Sequence, residues 1–230
     1  MREEPAGEQV GAHVYDSAMA TKVKICGLTN VDDARAAVEL GAWAVGMIFY
    51  EGSPRRCMLE DAAAIAAALR RKVELVGVFV NAPLDDVMHM LESAPLTILQ
   101  LHGDEGPSYC EEAARRTGLK VMKAVRVRDR SAVRALSAYR TDFHLIDSHV
   151  PGTWGGTGER FDWELAGDHP HRPPLVLSGG LTADNVGEAI AVARPFAVDV
   201  ASGVEAEPGR KDADKLRRFF ASVEAAAAPV

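Results

Sequence analysis

The chain has 230 residues, 47% of them hydrophobic and 26% charged, with a formal net charge of −7. That length suits one barrel or one doubly wound sheet, and a fold of this size buries roughly 70% of its unfolded surface without staples. The acidic balance argues against a nucleic-acid surface, where a basic stripe is expected, yet allows a small anionic substrate in a locally positive pocket. Cys26, Cys57 and Cys110 fall outside any C-x-x-C spacing, the pattern of a reduced, cytoplasmic protein rather than a disulfide framework.

Residues 1–20 mix Gly, Pro, Glu and Ser without apolar periodicity, which predicts a flexible N-terminal extension and no signal peptide. Uninterrupted apolar stretches fall far short of the ~20 residues a membrane helix needs, so no membrane contact is expected. From residue 21 to 230 two kinds of segment alternate. Short apolar or β-branched runs begin near Lys22, Trp43, Glu74, Thr97, Lys120, Phe143, Pro174 and Ala197, and read as buried parallel strands. Between them lie helical stretches such as VDDARAAVELGA, DAAAIAAALRR, SYCEEAARRTG and ADNVGEAIAVAR. Asn30 and Asp129 stand where N-caps belong, Pro83 at a first turn, and Gly41 and Gly118 at helix ends. After the sixth strand only FDWELAGDH is available as a short helix. Eight such units of about 25 residues predict an α/β fold, a single-domain (β/α)₈ TIM barrel. The rival, a doubly wound sheet, usually carries G-x-G-x-x-G after its first strand, and KICGLTN does not match it.

A barrel places its chemistry at the C-terminal ends of its strands. The polar residues there are Cys26, Arg55, Asn81, Gln100, His102, Arg126, Asp147, Ser178, Asp199 and Ser202. Strand seven ends in SGG and strand eight in ASG. Gly179, Gly180, Ala201, Ser202 and Gly203 could therefore let backbone N–H groups approach a phosphate, helped by a helix starting near Ala183, or could simply form tight turns. Cys26 closes strand one and shares a face with Lys24, whose ammonium would favour thiolate; the plainer reading is a small buried hydrophobe. Asp147 closes strand six on the face of Leu145, where desolvation suits a general acid, although a cap or ion-pair role fits equally. Arg55 can offer a planar fork to a carboxylate or be solvated in its loop, and Arg56 could serve instead.

No Cys/His cluster with metal-ligand spacing and no nucleotide motif occurs. His144 and His149 lie on opposite strand faces, and His169 and His171 are expected in an exposed loop. A phosphate site with acid and base groups and no cofactor or metal implies proton transfer on a sugar phosphate.

The blocks KICGLTN, GMIFYEGSPR, VGVFVN, LQLHGDE, LIDS, GGTGERFDW, LSGGLTADNV and DVASGVEAEPGRKD resemble, in order, those of phosphoribosylanthranilate isomerases and cover nearly all of residues 22–222. The resemblance implies a cofactor-free (β/α)₈ barrel, monomeric or homodimeric, that performs an Amadori rearrangement of a phosphorylated sugar-anthranilate. It implies Cys26 as general base and Asp147 as general acid. It further implies Arg55 for the anthranilate carboxylate and the two glycine turns for phosphate, with Lys24, His102 and Asp199 lining the pocket. Arg56 stands where the family usually has an aromatic residue, and the N-terminal extension is outside the family pattern. The alternatives are a dual-substrate isomerase, a non-catalytic phosphate-binding barrel, and the related barrel isomerase of histidine biosynthesis, which fits less well. It resembles a duplicated half-barrel with a second phosphate turn after strand three, where this chain has VFVNAP, and has aspartate in place of Cys26.

Overall fold

The computed structural model describes residues 21–148, 163–170 and 172–227. The N-terminal extension, His149, the GGTG block and His171 lie outside the described residues. Eight strands close into a parallel barrel in chain order: β1 (Lys22–Cys26), β2 (Ala44–Ile48), β3 (Glu74–Phe79), β4 (Ile98–Leu101), β5 (Lys120–Val127), β6 (Phe143–Ser148), β7 (Leu175–Leu177) and β8 (Ala197–Val200). Each begins within one residue of the position expected from its apolar run. The intervening helices are α1 (Val31–Glu39), α2 (Leu59–Leu69), α3 (Leu84–Ser93), α4 (Pro107–Thr117), α5 (Arg130–Ala135) and α6 (Val186–Ala193). A short 3₁₀ stretch, Trp163–Asp168, stands where the weak sixth helix was expected. After β8 come a 3₁₀ turn (Ser202–Val204), an antiparallel hairpin of β9 (Glu205–Glu207) and β10 (Arg210–Lys211), and α7 (Ala213–Ala227).

The helix boundaries have local chemical causes. Asn30 Oδ1 accepts from Asp33 N–H at 2.9 Å, and Asp129 accepts from Ser131 and Ala132 N–H at 2.8 and 3.2 Å, satisfying donors that a first helical turn leaves free. Gly118 ends α4 at φ 68°, a left-handed conformation that glycine adopts without strain. One expected start moves. The helix after β7 begins at Val186 rather than Ala183, because Thr182–Asn185 is held as a turn. Thr182 N–H donates to Asn185 Oδ1 at 2.8 Å, and the Asn185 amide donates to Gly180 O at 2.9 Å.

Side-chain alternation divides the core in two. Outward residues such as Ile25, Val45, Leu99, Ile146 and Val198 pack under the helices. Inward ones, including Ala44, Val76, Ile98, Met122, Leu145, Val176 and Ala197, fill the barrel interior. Its lower end is plugged by Trp43, Phe143 and Phe196, whose ring centroids lie 5.1–5.7 Å apart.

His169, expected to be exposed, is buried, because its ring packs edge-on against buried His144 at 5.1 Å and its Nε2 lies 2.9 Å from His144 Nδ1. Burial pushes the His144 imidazole down to about 4, against a backbone hydrogen bond at Tyr139. The unfolded chain takes up this proton near 6.5, whereas the fold resists it until about 4. The contribution of His144 to stability is therefore complete above pH 6.5 and is lost as pH falls through that interval. Urea unfolding should show a smaller free energy at pH 5 than at pH 7. His144→Gln should narrow the gap, and an equal gap in the variant would contradict this assignment.

Candidate active site

The inner face that is apolar in mid-barrel turns polar at the strands' C-terminal ends. The lattice of register explains which groups meet. Lys24 lies opposite Asp199, Cys26 opposite Gly46, and Arg126 opposite Asp147. Cys26, Arg55, His102, Asp147, Asp199 and Ser202 all line one cleft at this mouth, which also receives Gly179 and Gly180. Of the strand-end candidates, Asn81 points elsewhere: its side chain is spent on Asp104, accepting from the backbone N–H at 2.7 Å. Gly203 does not line the cleft either.

Lys24 is fully buried beneath the cleft, and its Nζ donates to Asp199 Oδ1 at 2.8 Å. Burial opposes its charge, but Asp199 and the neighbouring Cys26 hold the ammonium above its ordinary range. Gly46 makes this crowding possible, since a Cβ there would stand 3.0 Å from Cys26 Sγ and 3.1 Å from Lys24 Nζ. Lys24 favours a Cys26 thiolate as expected, but it does not prevail. Burial pushes the Cys26 thiol up, Lys24 pulls it down, and Asp199 opposes Lys24, leaving a net rise. The resting group is a thiol at neutral pH.

Asp147 is buried on the inner face of β6, and its Oδ2 lies 3.4 Å from His102 Nε2. The Gln100 amide nitrogen sits 3.0 Å from His102 Nδ1. With that amide donating, the ring proton stays on Nε2 and faces Asp147. Cys26 and Asp147 thus enter the cleft from β1 and β6, separated around the barrel mouth.

The two glycine turns are joined by close backbone packing. Gly179 and Gly180 have φ of 99° and 63°, positions strained for any residue with a Cβ. A Cβ on Gly203 would collide with the Leu181 carbonyl oxygen, so this glycine is required by contact between the turns. Because α6 starts late, the donors available to an anion are those of the two turns, including the 3₁₀ turn at Ser202–Val204, rather than the α6 N-terminus.

Of the two adjacent arginines Arg55 reaches the cleft, which Arg126 of β5 also lines. Arg56 pairs instead with Glu51 at 3.2 Å on the surface. Arg55 meets a residue that sequence reasoning did not single out, Glu205, whose carboxylate accepts from Nε at 2.9 Å and lies 2.8 Å from Nη2. Buried Lys211 contacts the same carboxylate at 2.9 Å. The signal available in the sequence was the Pro208-Gly209 turn between EAE and RK, a hairpin pattern that brings Glu205 and Lys211 face to face. Among the described residues no group of His, Cys, Asp and Glu is arranged to hold a metal ion, and no helix is long and apolar enough to cross a membrane.

A closed parallel barrel with thiol, carboxyl, imidazole and guanidinium groups at one mouth defines a (β/α)₈-barrel enzyme of the acid–base class. The model of the N-(5'-phosphoribosyl)anthranilate isomerase family matches residues 23–222. An isomerase of that name from Citrifermentans bemidjiense is 48% identical over 204 residues, which cover 89% of this chain and 97% of the relative. The crystal structure of the Thermotoga maritima phosphoribosyl anthranilate isomerase superposes with a TM-score of 0.80 at 41% identity, covering 89% of this chain and 99% of that one. That from Thermus thermophilus gives a TM-score of 0.81 at 38% identity with the same coverage. The chain belongs to the N-(5'-phosphoribosyl)anthranilate isomerase family.

The electrostatics of Cys26 are open to direct test. Its alkylation by iodoacetamide should keep accelerating with pH beyond the ordinary thiol range. Asp199→Asn should lower the midpoint, because a charge opposing the thiolate is removed. Cys57 and Cys110, buried and pushed up to about 12 and about 11, should stay unmodified. Mass spectrometry after limited reaction reads all three, and an unchanged or raised Cys26 midpoint in Asp199→Asn would remove Asp199 from the account.

Proposed function

We propose that this chain converts N-(5-phosphoribosyl)anthranilate to 1-(2-carboxyphenylamino)-1-deoxyribulose 5-phosphate, an Amadori rearrangement of tryptophan biosynthesis, with Asp147 as general acid and Cys26 as general base. The observation that carries this reading is the convergence of Cys26, Asp147, Arg55 and both glycine turns on one cleft of a chain from this family. A substrate lying across the mouth would present its phosphate to Gly179, Gly180, Ala201 and Ser202, and its carboxylate to Arg55. A phosphoribosyl anthranilate isomerase 40% identical to this chain was solved in complex with reduced 1-(o-carboxyphenylamino)-1-deoxyribulose 5-phosphate, a ligand with both of those anionic ends.

The chemistry then moves only protons and requires no cofactor or metal. Asp147 protonates the furanose ring oxygen as the nitrogen lone pair opens the ring to an iminium. His102, beside the resulting carboxylate, stabilises it. Cys26, once its resting thiol has released its proton to solvent, takes the C2′ proton as thiolate, and the electrons of that bond neutralise the iminium to give an enolamine. Tautomerisation moves a proton to C1′ and leaves the C2′ ketone. Burial disfavours the Cys26 thiolate; Lys24 and Lys211 work against that cost, and Asp199 limits their effect. The three buried cysteines, all free, suit the reducing conditions of the cytoplasm, where the enzyme would act as a monomer or homodimer. Residues 1–20 are proposed to be a dispensable extension of the barrel domain.

A general acid or base typically contributes ~10²–10⁴-fold. Asp147→Asn and Cys26→Ser should each lower kcat by about that factor with smaller changes in KM, followed by the loss of substrate fluorescence. Near-full activity in Cys26→Ser would reduce the thiol to packing and refute the mechanism. Gly180→Val should act differently, chiefly raising KM, because the phosphate is bound equally in ground and transition states. An unchanged KM in the folded variant would place the phosphate elsewhere.

A further inference from the structure

The hairpin after β8 carries a buried charge cluster at the edge of the cleft. Glu205 is 6% exposed and Lys211 8% exposed, yet both stand beside Arg55. The Glu205 carboxylate is saturated: both oxygens accept from Arg55 Nε, Oε2 meets Nη2, and Oε1 also takes Lys211 Nζ and, at 3.3 Å, Gly209 N–H. Burial opposes its charge, but Arg55 and Lys211 hold the carboxyl below its ordinary range. Lys211 extends the network to the catalytic strand, donating to the Cys26 carbonyl at 2.7 Å and to Ala201 O at 3.2 Å. The Arg55 stem runs over Gly27, whose φ of 73° and missing Cβ leave it room; a Cβ there would stand 2.8 Å from Arg55 Cδ.

A guanidinium has five N–H donors in a rigid plane. Glu205 occupies the Nε–Nη2 edge, so Nη1 and the second Nη2 hydrogen remain for a ligand. We propose that Glu205, braced by Lys211, is a positioning residue for Arg55: it grips one edge of the guanidinium so that the other is presented to the substrate's carboxylate. This rests on the assignment of Arg55 to that carboxylate. The charges of Arg55, Glu205 and Lys211 sum to a single positive charge, so the grip leaves the attraction for one carboxylate in place. It also removes, before binding, the rotamer freedom that a long side chain would otherwise lose on engaging its ligand.

The test compares two phosphorylated ligands, reduced 1-(o-carboxyphenylamino)-1-deoxyribulose 5-phosphate and its phenylamino counterpart lacking the carboxylate. The dissociation constants of both are measured on the wild type, Arg55→Met, Glu205→Gln and Glu205→Asp. The ratio of the two constants isolates carboxylate recognition from phosphate binding. The wild type should favour the carboxylated ligand, and Arg55→Met should abolish the preference. Glu205→Gln, which adds net positive charge but loses the two-oxygen grip, and Glu205→Asp, which keeps the charge but is one methylene shorter, should each cut the preference about tenfold, roughly the worth of one charge-assisted hydrogen bond. With substrate, both should raise KM more than they lower kcat. Should Glu205→Gln fail to fold on thermal unfolding, Glu205→Asp decides the matter alone. A preference that survives while both ligands weaken equally would make Glu205 a merely structural residue. A preference that grows in Glu205→Gln would make it a brake on charge instead. Either overturns the proposal, whereas a preference that survives Arg55→Met overturns the reading of Arg55 on which it rests.

Discussion

A closed parallel sheet leaves its side chains two destinations, the barrel interior or the layer beneath the helices, and successive residues must alternate between them. That alternation carries the whole site. Lys24 and Cys26 on β1, Asp147 on β6 and Asp199 on β8 face inward because Ile25, Ile146, Val198 and Val200 face outward. A one-residue slip in any of these strands would exchange its two sets, burying catalytic candidates under helices and placing isoleucine or valine at the mouth. The apolar residues that fill the interior and the aromatic plug at its lower end therefore do more than stabilise. They pin the register that decides which groups can meet.

The polar end is bought with buried charge. Lys24–Asp199, Arg55–Glu205–Lys211 and Lys123–Glu105 are ion pairs in which every partner is mostly or wholly buried. Such pairs lose much of their Coulomb gain to desolvation, so they are weak evidence of added stability. Their placement is informative in another way, because each ties together segments that carry cleft residues. Glu105 accepts from Asn81 N–H at 2.7 Å, Gly103 N–H at 2.9 Å and Lys123 Nζ at 2.8 Å, joining the loops after β3 and β4 beside His102. Lys211 joins the ends of β1 and β8 through two carbonyls. A ring of strands supplies rigidity below the mouth, and these hydrogen-bonded charges extend it into the loops above.

Strand positions, fold class and most of the cleft were legible along the chain. Buried parallel strands must be apolar, helix starts need capping side chains, and a barrel's chemistry must sit where its strands end. Those are local or topological rules, and Asn30, Asp129, Cys26, Asp147 and the glycine turns obey them. The departures arise where a side chain's partner is distant. His169 lies in a proline-rich stretch that looks solvent-facing until His144, 25 positions earlier, is brought against it. Lys24 looks like a sufficient activator of Cys26 until burial of the thiol, and the Asp199 carboxylate brought from 175 positions away, outweigh it. Arg55 looks like a free fork until Glu205, 150 positions away, grips one edge.

The amino-acid sequence by itself determined the alternation of strands and helices, the number of units and the residue types available at each strand end, because period, capping and turn chemistry act within a few neighbours. Only the tertiary structure decided the state of those residues: which charges are cancelled, which edge of Arg55 remains open, and whether the Cys26 thiol is drawn down or pushed up. Closing the barrel sets β8 beside β1 and folds the terminal hairpin over both. The electrostatics of the mouth depend on groups that become neighbours only when that ring is closed.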